Sequence, residues 1–381
     1  MKAIVLGAGM VGSVMAADMA RDFDVTIADV NEGNLDAARA RGGGKIAALR
    51  ADLSDPAAIA RVVEPFDIVL GALASRLGFA ALRAVIESGK NYCDISFMPE
   101  EALDLDDLAR SRGVTAVVDM GVAPGMSNLL AGHEASGLDE CSEIEIYVGG
   151  LPRERSWPFQ YKAGFAPSDV IEEYTRPTRL VEHGRVVVRP ALTEPELMDF
   201  SGLGTLEAVN TDGLRSLART MAVPFMKEKT LRYPGHYELM RVLRSIGLFS
   251  KEPIEVGGKA VVPLEVISRL MFPMWTYQPG EEDLTVMRIV TRGKRGGRSV
   301  RVCWDLLDFF HGPTGATSMS RTTALPCTAT ARLIASGRLR RPGVLAPEQI
   351  GSDAGVVEAI LAELRAREIV YSRTEGEASP R

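Results

Sequence analysis

The chain has little sulfur, little imidazole and few aromatic residues. Its 381 residues include four cysteines and four histidines, and aromatics make up 6%. Cys93, Cys141, Cys303 and Cys327 stand singly, with no C-x-x-C pair, so no metal site and no disulfide framework are expected. Such usage fits a reduced, cytoplasmic protein. No uncharged apolar run is long enough to span a bilayer, so no membrane partner is expected. Excess positive charge is also missing. The formal net charge of -6 at pH 7 argues against a nucleic-acid footprint. The basic run 292–298 then reads as a solvated hairpin tip. No repeat or low-complexity tract stands out, and the polar segment from Ser372 to Arg381 reads as a frayed tail.

What is present is ordinary in amount: 46% hydrophobic and 25% charged residues, enough for sizeable cores. The length suits two or more domains. The N-terminal order of residues is more specific. Ala3-Ile4-Val5-Leu6 is a buried-strand run, and Gly7-Ala8-Gly9-Met10-Val11-Gly12 follows it. Gly7 permits the tight turn, Gly9 leaves room for a pyrophosphate, and Gly12 permits close helix–strand packing. A helix from Met10 and Val11 onward points its amides at the phosphates. The next apolar run, Val25 to Ala28, ends in Asp29, placed to accept from ribose hydroxyls. Asp29 would repel a 2′-phosphate, and Val30 and Asn31 supply no cation. NAD is therefore expected, with NADP disfavoured. Lys2, an apolar stretch and the small pair Ala16-Ala17 also resemble a secretory signal, but strand–helix alternation continues directly afterwards.

That alternation runs through 47–49, 68–73, 92–95 and 115–118, with helical segments at 79–88 and 100–112. It predicts a parallel, doubly wound sheet over residues 1–124. Ligand-binding residues belong just past the strand ends. Asp52 is assigned to adenine, Leu73 to the cofactor, and Ser75 to the pyrophosphate or nicotinamide ribose. Asp94 and Asp119 end the next two strands, and Gly121 begins a Gly-Pro-Gly loop that lets backbone approach a substrate or serves as a hinge. From 125 to 312 the runs alternate polar and apolar, as at 144–148, 186–188 and 206–209. Residues 284–290 and 299–306, joined by a turn at 293–297, read as a long hairpin. This region is predicted to be an α+β domain with a mixed or antiparallel sheet. Residues 313–381 turn helical again, as if returning to the first domain.

These blocks together resemble the saccharopine dehydrogenase family, and within it the lysine 6-dehydrogenases most. The matching segments are GAGMVG (7–12), YCDIS (92–96), DMGVAPGMSN (119–128), TLRYPGH (230–236) and TSMSRTTALPCTATARL (317–333). The resemblance implies an N-terminal Rossmann domain, a second domain that also dimerises, and a C-terminal return. It implies an NAD(P)-dependent amino-acid dehydrogenase that works on a C–N bond of lysine or a lysine-derived amino acid. The partners are then a small amino-acid substrate and a second copy or more of the chain. The family often carries a Lys-Leu-Ser-Trp-like segment where this chain has Tyr161-Lys162-Ala163-Gly164-Phe165.

Oxidative deamination of L-lysine needs a group that removes a proton from the ε-ammonium before hydride leaves. His236, after Tyr-Pro-Gly at a helix start, is the first candidate base; packing at a turn or donation to a backbone carbonyl is its ordinary role. Asp94 is the second candidate, as base, ammonium partner or helix cap. Arg232 is the candidate anchor for the α-carboxylate, its alternative being a salt bridge. Tyr233 either donates in the same pocket or is a core aromatic. Asp119, Gly121, Arg321 and Thr322 complete the expected substrate side, with helix capping the alternative for the last two. Cys93 reads as a buried structural thiol. A saccharopine-type enzyme would need further cations for three carboxylates, with Lys162, Arg176 and Arg321 as the candidates. A non-catalytic NAD-binding regulator is the reading from another class.

Overall fold

A computed structural model of the chain describes residues 1–164 and 167–377. Those residues pack as two compact units. The first comprises Met1–Gly137, Gly312–Ala316 and Ser320–Val370, and the second comprises Leu138–His311, Thr317–Met319 and the chain from Tyr371 onward.

In the first unit, six strands follow in chain order: β1 (Lys2–Leu6), β2 (Asp24–Asp29), β3 (Ile46–Arg50), β4 (Ile68–Gly71), β5 (Asn91–Asp94) and β6 (Thr115–Val117). With Gly343–Leu345 they form one parallel sheet, ordered 343–345, β6, β5, β4, β1, β2, β3. Residues Ala3–Leu6 of β1 and all of β4 are buried and read as unbroken apolar runs. The strand order reverses between β1 and β4, and ligands of such sheets bind beyond the strand ends at that point. The predicted doubly wound sheet and C-terminal return are both present.

One buried carboxylate ties that return to the sheet's first helix, Met10–Met19. Asp18 accepts from Thr328 at 2.7 Å, Arg332 at 2.7 Å and Arg367 at 2.6 Å. Burial alone would raise its pKa, but the two guanidiniums outweigh burial and hold it below the usual value.

The second unit is built on a mixed nine-stranded sheet. Phe225–Arg232 runs parallel to Glu140–Pro152; the other pairings are antiparallel. The expected hairpin is there, longer than the sequence suggested. Asp283–Arg295 and Arg298–Phe309 pair up to Arg295 and Arg298, leaving a turn of Gly296 and Gly297. Both glycines have positive φ, which a two-residue turn requires. Its cations meet acids on neighbouring strands: Arg292 with Glu143 and Glu145, Lys294 with Glu140, and Arg295 with Glu375.

Two expectations about boundaries change. The first unit extends past 124 to Gly137, because helix Met126–Ser136 packs on Pro347–Gly351. A Cβ on Gly132 would run into Glu348, and one on Gly351 into the Leu129 carbonyl. The segment read as a frayed tail is a strand instead. Tyr371–Glu377 pairs in register with 300–306, held by the ladder and by Arg295 on Glu375. Its residues beyond Tyr371 are exposed, so composition alone hid the strand. Residues 378–381 of that reading, like Phe165, lie outside the described residues. Among the described residues, no helix is long and apolar enough to cross a membrane.

Candidate functional site

The glycine loop has the geometry its spacing predicts. Gly7 has φ +101°, and its N–H donates to the Ala28 carbonyl at 2.8 Å. A Cβ on Gly12 would run into the Gly7 carbonyl, which fixes how closely helix Met10–Met19 approaches β1. Gly9 is the counter-case. Nothing lies within 4 Å of where its Cβ would be, so the open space is on the ligand side. Gly9 also caps the helix without a side-chain bond, and Met10 is exposed beside it. An uncapped helix N-terminus beside open backbone suits a pyrophosphate. These residues fit a dinucleotide.

Asp29 lies where expected, and its carboxylate also holds the loop. One carboxylate oxygen accepts from Ala8 N–H at 2.7 Å and the other from Asn31 N–H at 2.8 Å. It braces the loop. Beside it stands a cation that local sequence did not show. Arg50, the last residue of β3, is in register with Asp29; its side chain is 70% exposed and only loosely paired with Glu32 at 3.9 Å. Asp52, expected at the adenine, is exposed and turned onto Ser54, whose N–H and hydroxyl both donate to it. Those bonds lower its pKa. Leu73 is half-buried against the Gly7 loop and the apolar core, and Ser75 opens helix Ser75–Glu87.

Asp94, at the end of β5, is fully buried. One of its oxygens accepts from Ser96 N–H at 2.7 Å, and the other has no partner. Burial, opposed by the Ser96 N–H bond and reinforced by nearby Asp119, pushes its carboxyl up to about 7. The hydroxyls of Tyr92 and Ser96 are also buried without partners. Asp119 is buried with φ +54°, and the following N–H bonds to the Asp94 carbonyl. Gly121 closes its loop on itself: its N–H reaches the Pro124 carbonyl, its carbonyl accepts from Met126, and Thr323 packs 3.2 Å from its Cβ position. The expected backbone surface for a substrate is thus folded inward. Arg321 and Thr322 are buried rather than poised at an open helix end, and Arg321 donates to the Arg367 carbonyl at 2.6 Å.

The second unit gathers Arg232 and His236 but changes their roles. Arg232 is 2% exposed. Its Nε donates to the Tyr174 hydroxyl, Nη1 to the Leu231 carbonyl, and Nη2 to Glu173 at 3.1 Å, with the guanidinium over the Tyr161 ring at 4.4 Å. The expected carboxylate anchor is filled from within. His236 lies against Phe159 O at 2.8 Å through Nδ1 and Tyr174 Oη at 2.9 Å through Nε2. A carbonyl can only accept, so Nδ1 carries the proton and Nε2 receives the tyrosine hydroxyl. Burial, then the Arg232 charge, pushes this imidazole down to about 3. The expected base has neither a free lone pair nor a pKa near neutrality. Tyr233 does not join the cluster. It packs in a separate apolar core and donates to the Pro152 carbonyl at 3.0 Å.

Sequence reading assigned no role to Tyr92, Ser96, Arg50, Glu173 or Tyr174. Only the first two carried a signal, polar groups two residues either side of Asp94 in a run otherwise buried. It also missed Glu228, a buried carboxyl that accepts from Thr211 and that burial pushes up to about 8.

Comparison with known proteins bears on the cofactor and the family. The saccharopine dehydrogenase (NADP(+), L-glutamate-forming) of Schizosaccharomyces pombe is 22% identical over 83% of this chain and 86% of its own length. The mouse mitochondrial alpha-aminoadipic semialdehyde synthase is 23% identical over 79% of the chain, which spans only 40% of that longer protein. The apo saccharopine dehydrogenase (L-Glu forming) from Saccharomyces cerevisiae shares the fold, with a TM-score of 0.82 over 98% of this chain and 99% of that one at 17% identity. Residues 3–117 match the saccharopine dehydrogenase NADP binding domain. That match overturns the expectation of NAD. The physical reason lies in two residues: Asp29 is held by the loop amides, and Arg50 brings a cation from 21 residues away. Residues 121–370 match the saccharopine dehydrogenase C-terminal domain, and with both domains matched the chain belongs to the saccharopine dehydrogenase family.

Proposed function

We propose that the chain is an NADP-dependent dehydrogenase acting on a C–N bond of a lysine-type amino acid, with Asp94 as the group that carries the proton. The observation behind this reading is the buried Asp94 carboxyl, with one oxygen unpartnered and a pKa of about 7, at the end of β5, with only β4 between it and the strand that leads into the glycine loop. The nicotinamide supplies a hydride acceptor when bound. Gly9 and the uncapped helix that follows leave room for the pyrophosphate, and Arg50 is the candidate cation for the 2′-phosphate. An ionised Asp94 takes the proton that must leave the amine before the C–H bond breaks.

L-lysine is favoured over saccharopine as substrate. Saccharopine carries three carboxylates, and two of the three cations suggested for the extra ones are engaged internally. Lys162 is held by Glu281 and Thr276, and Arg321 donates to a backbone carbonyl. Measuring NADPH formation with lysine and with saccharopine tests the reading. Lysine turnover supports it. Turnover of saccharopine alone overturns the substrate, and tight NADP binding with no turnover of either supports the regulator instead.

A further inference from the structure

Strand alternation turns Tyr92 and Asp94 to one face of β5. Gly71 of β4 is in register with Asp94 and has no side chain to fill the space between. A Cβ there would run into the Tyr92 hydroxyl and stand 2.7 Å from Asp94 Oδ1. The phenol and the carboxyl therefore share one slot, made by a glycine. On the other side, Gly78 leaves room for Ser96: a Cβ on it would lie 2.8 Å from that side chain. In the slot the Tyr92 hydroxyl has no acceptor and Asp94 Oδ2 has no donor, although both residues are fully buried. A buried polar atom without a partner costs about 1–3 kcal/mol. Two such atoms, one able to donate and the other to accept, on side chains that share one slot, call for a state in which they are joined. The other titratable groups around them are Asp119 and the thiols of Cys93 and Cys327. All of these are acids, so a neutral donor is the only relief they leave an ionised Asp94.

We propose that Tyr92 is a positioning residue whose hydroxyl donates to the Asp94 carboxylate when that carboxylate is ionised. The phenol keeps its own proton throughout. While Asp94 is neutral the two groups rest apart, and when Asp94 loses its proton the hydroxyl turns to the charged oxygen. Catalytic relevance rests on the reading of Asp94 as the proton-carrying group; the pairing itself does not.

Infrared titration of the protein without cofactor or substrate tests it. The Asp94 carboxyl band is identified by its loss in Asp94→Asn. In the wild type its midpoint is expected near 7, and in Tyr92→Phe it moves up by about one unit, because the ionised form loses a donor. An unmoved midpoint in folded Tyr92→Phe overturns the proposal. A purely structural Tyr92 would change stability and leave the midpoint where it was. Should that variant not fold, wild-type protein carrying ring-deuterated tyrosine gives the same answer. A tyrosine mode must shift in step with Asp94 and stop doing so in Asp94→Asn, and no such shift overturns the pairing. Full turnover by Asp94→Asn would remove the catalytic reading and leave this titration to be judged alone.

Discussion

Two buried polar clusters in this molecule look alike in composition and opposite in accounting. In the second unit, Arg232, Tyr174, His236 and Glu173 form a chain in which the guanidinium and both ring nitrogens all have partners. At the strand ends of the first unit, Tyr92, Asp94 and Ser96 are as deeply buried, and each keeps an oxygen without one. Closed networks hold a fold together, whereas unfinished ones wait for a ligand or a proton. Arginine and histidine attract attention in a sequence because of their chemistry. Here that chemistry is spent internally, and the unfinished group is an aspartate flanked by a tyrosine and a serine.

The contrast can be broken in several places. Asp94→Asn is expected to have the largest effect, lowering turnover about 10²–10⁴-fold in an NADPH-formation assay and abolishing the rise of rate as pH passes about 7. The same change is expected to stabilise. The folded-state pKa of Asp94 is raised, so its contribution is intact below the unfolded value and is lost as pH rises through about 7. Denaturant midpoints above neutrality should therefore move up in the variant, and a drop would contradict the unfinished character of the site. Arg232→Met should do the reverse. It leaves Glu173 and Tyr174 without their cation, at a cost of about 3–5 kcal/mol in urea unfolding; a loss under 1 kcal/mol would show the network to be dispensable.

Glu228→Gln sharpens the comparison within the second unit. Glu228 is neutral in the fold up to about 8 while an unfolded glutamate ionises near 4.5, so the wild type loses stability across that window. The variant's advantage should grow as pH rises through it, by up to about 1.4 kcal/mol per pH unit, and thermal melts at several pH values would show it. A constant difference would place the strain elsewhere. Arg50→Ala is the smallest change. Calorimetry should show NADP binding weakened about tenfold with NAD binding unaffected. Equal weakening of both would take the 2′-phosphate away from Arg50.

Much of the fold could be read in advance because its signals are local. The apolar runs 3–6 and 68–71 and the loop 7–12 carry their own geometry, since neighbours in sequence are neighbours in the turn. What escaped depends on distant contacts. Asp29 pointed to NAD because neither its bonds to loop amides nor Arg50, which only strand register places beside it, can be seen in the order of residues. His236 was rightly placed at a helix start, yet its partners come from Tyr174 and Phe159, some sixty and eighty residues earlier. The strand 371–377 was missed because five exposed polar residues and a glycine at a sheet edge pattern like coil.

That last strand has a consequence for how the protein is made. The chain leaves the first unit at Gly137, returns to it at Gly312 and Ser320, and at Tyr371 rejoins the sheet it had left. Neither unit is a continuous stretch. As synthesis proceeds from the N-terminus, the parallel sheet lacks its edge strand until Gly343–Leu345 emerges. The strand Arg298–Phe309 lies open along one side until Tyr371–Glu377 arrives. A nascent chain must therefore carry an unpaired strand edge for some sixty residues of elongation, and both halves finish within a few residues of each other.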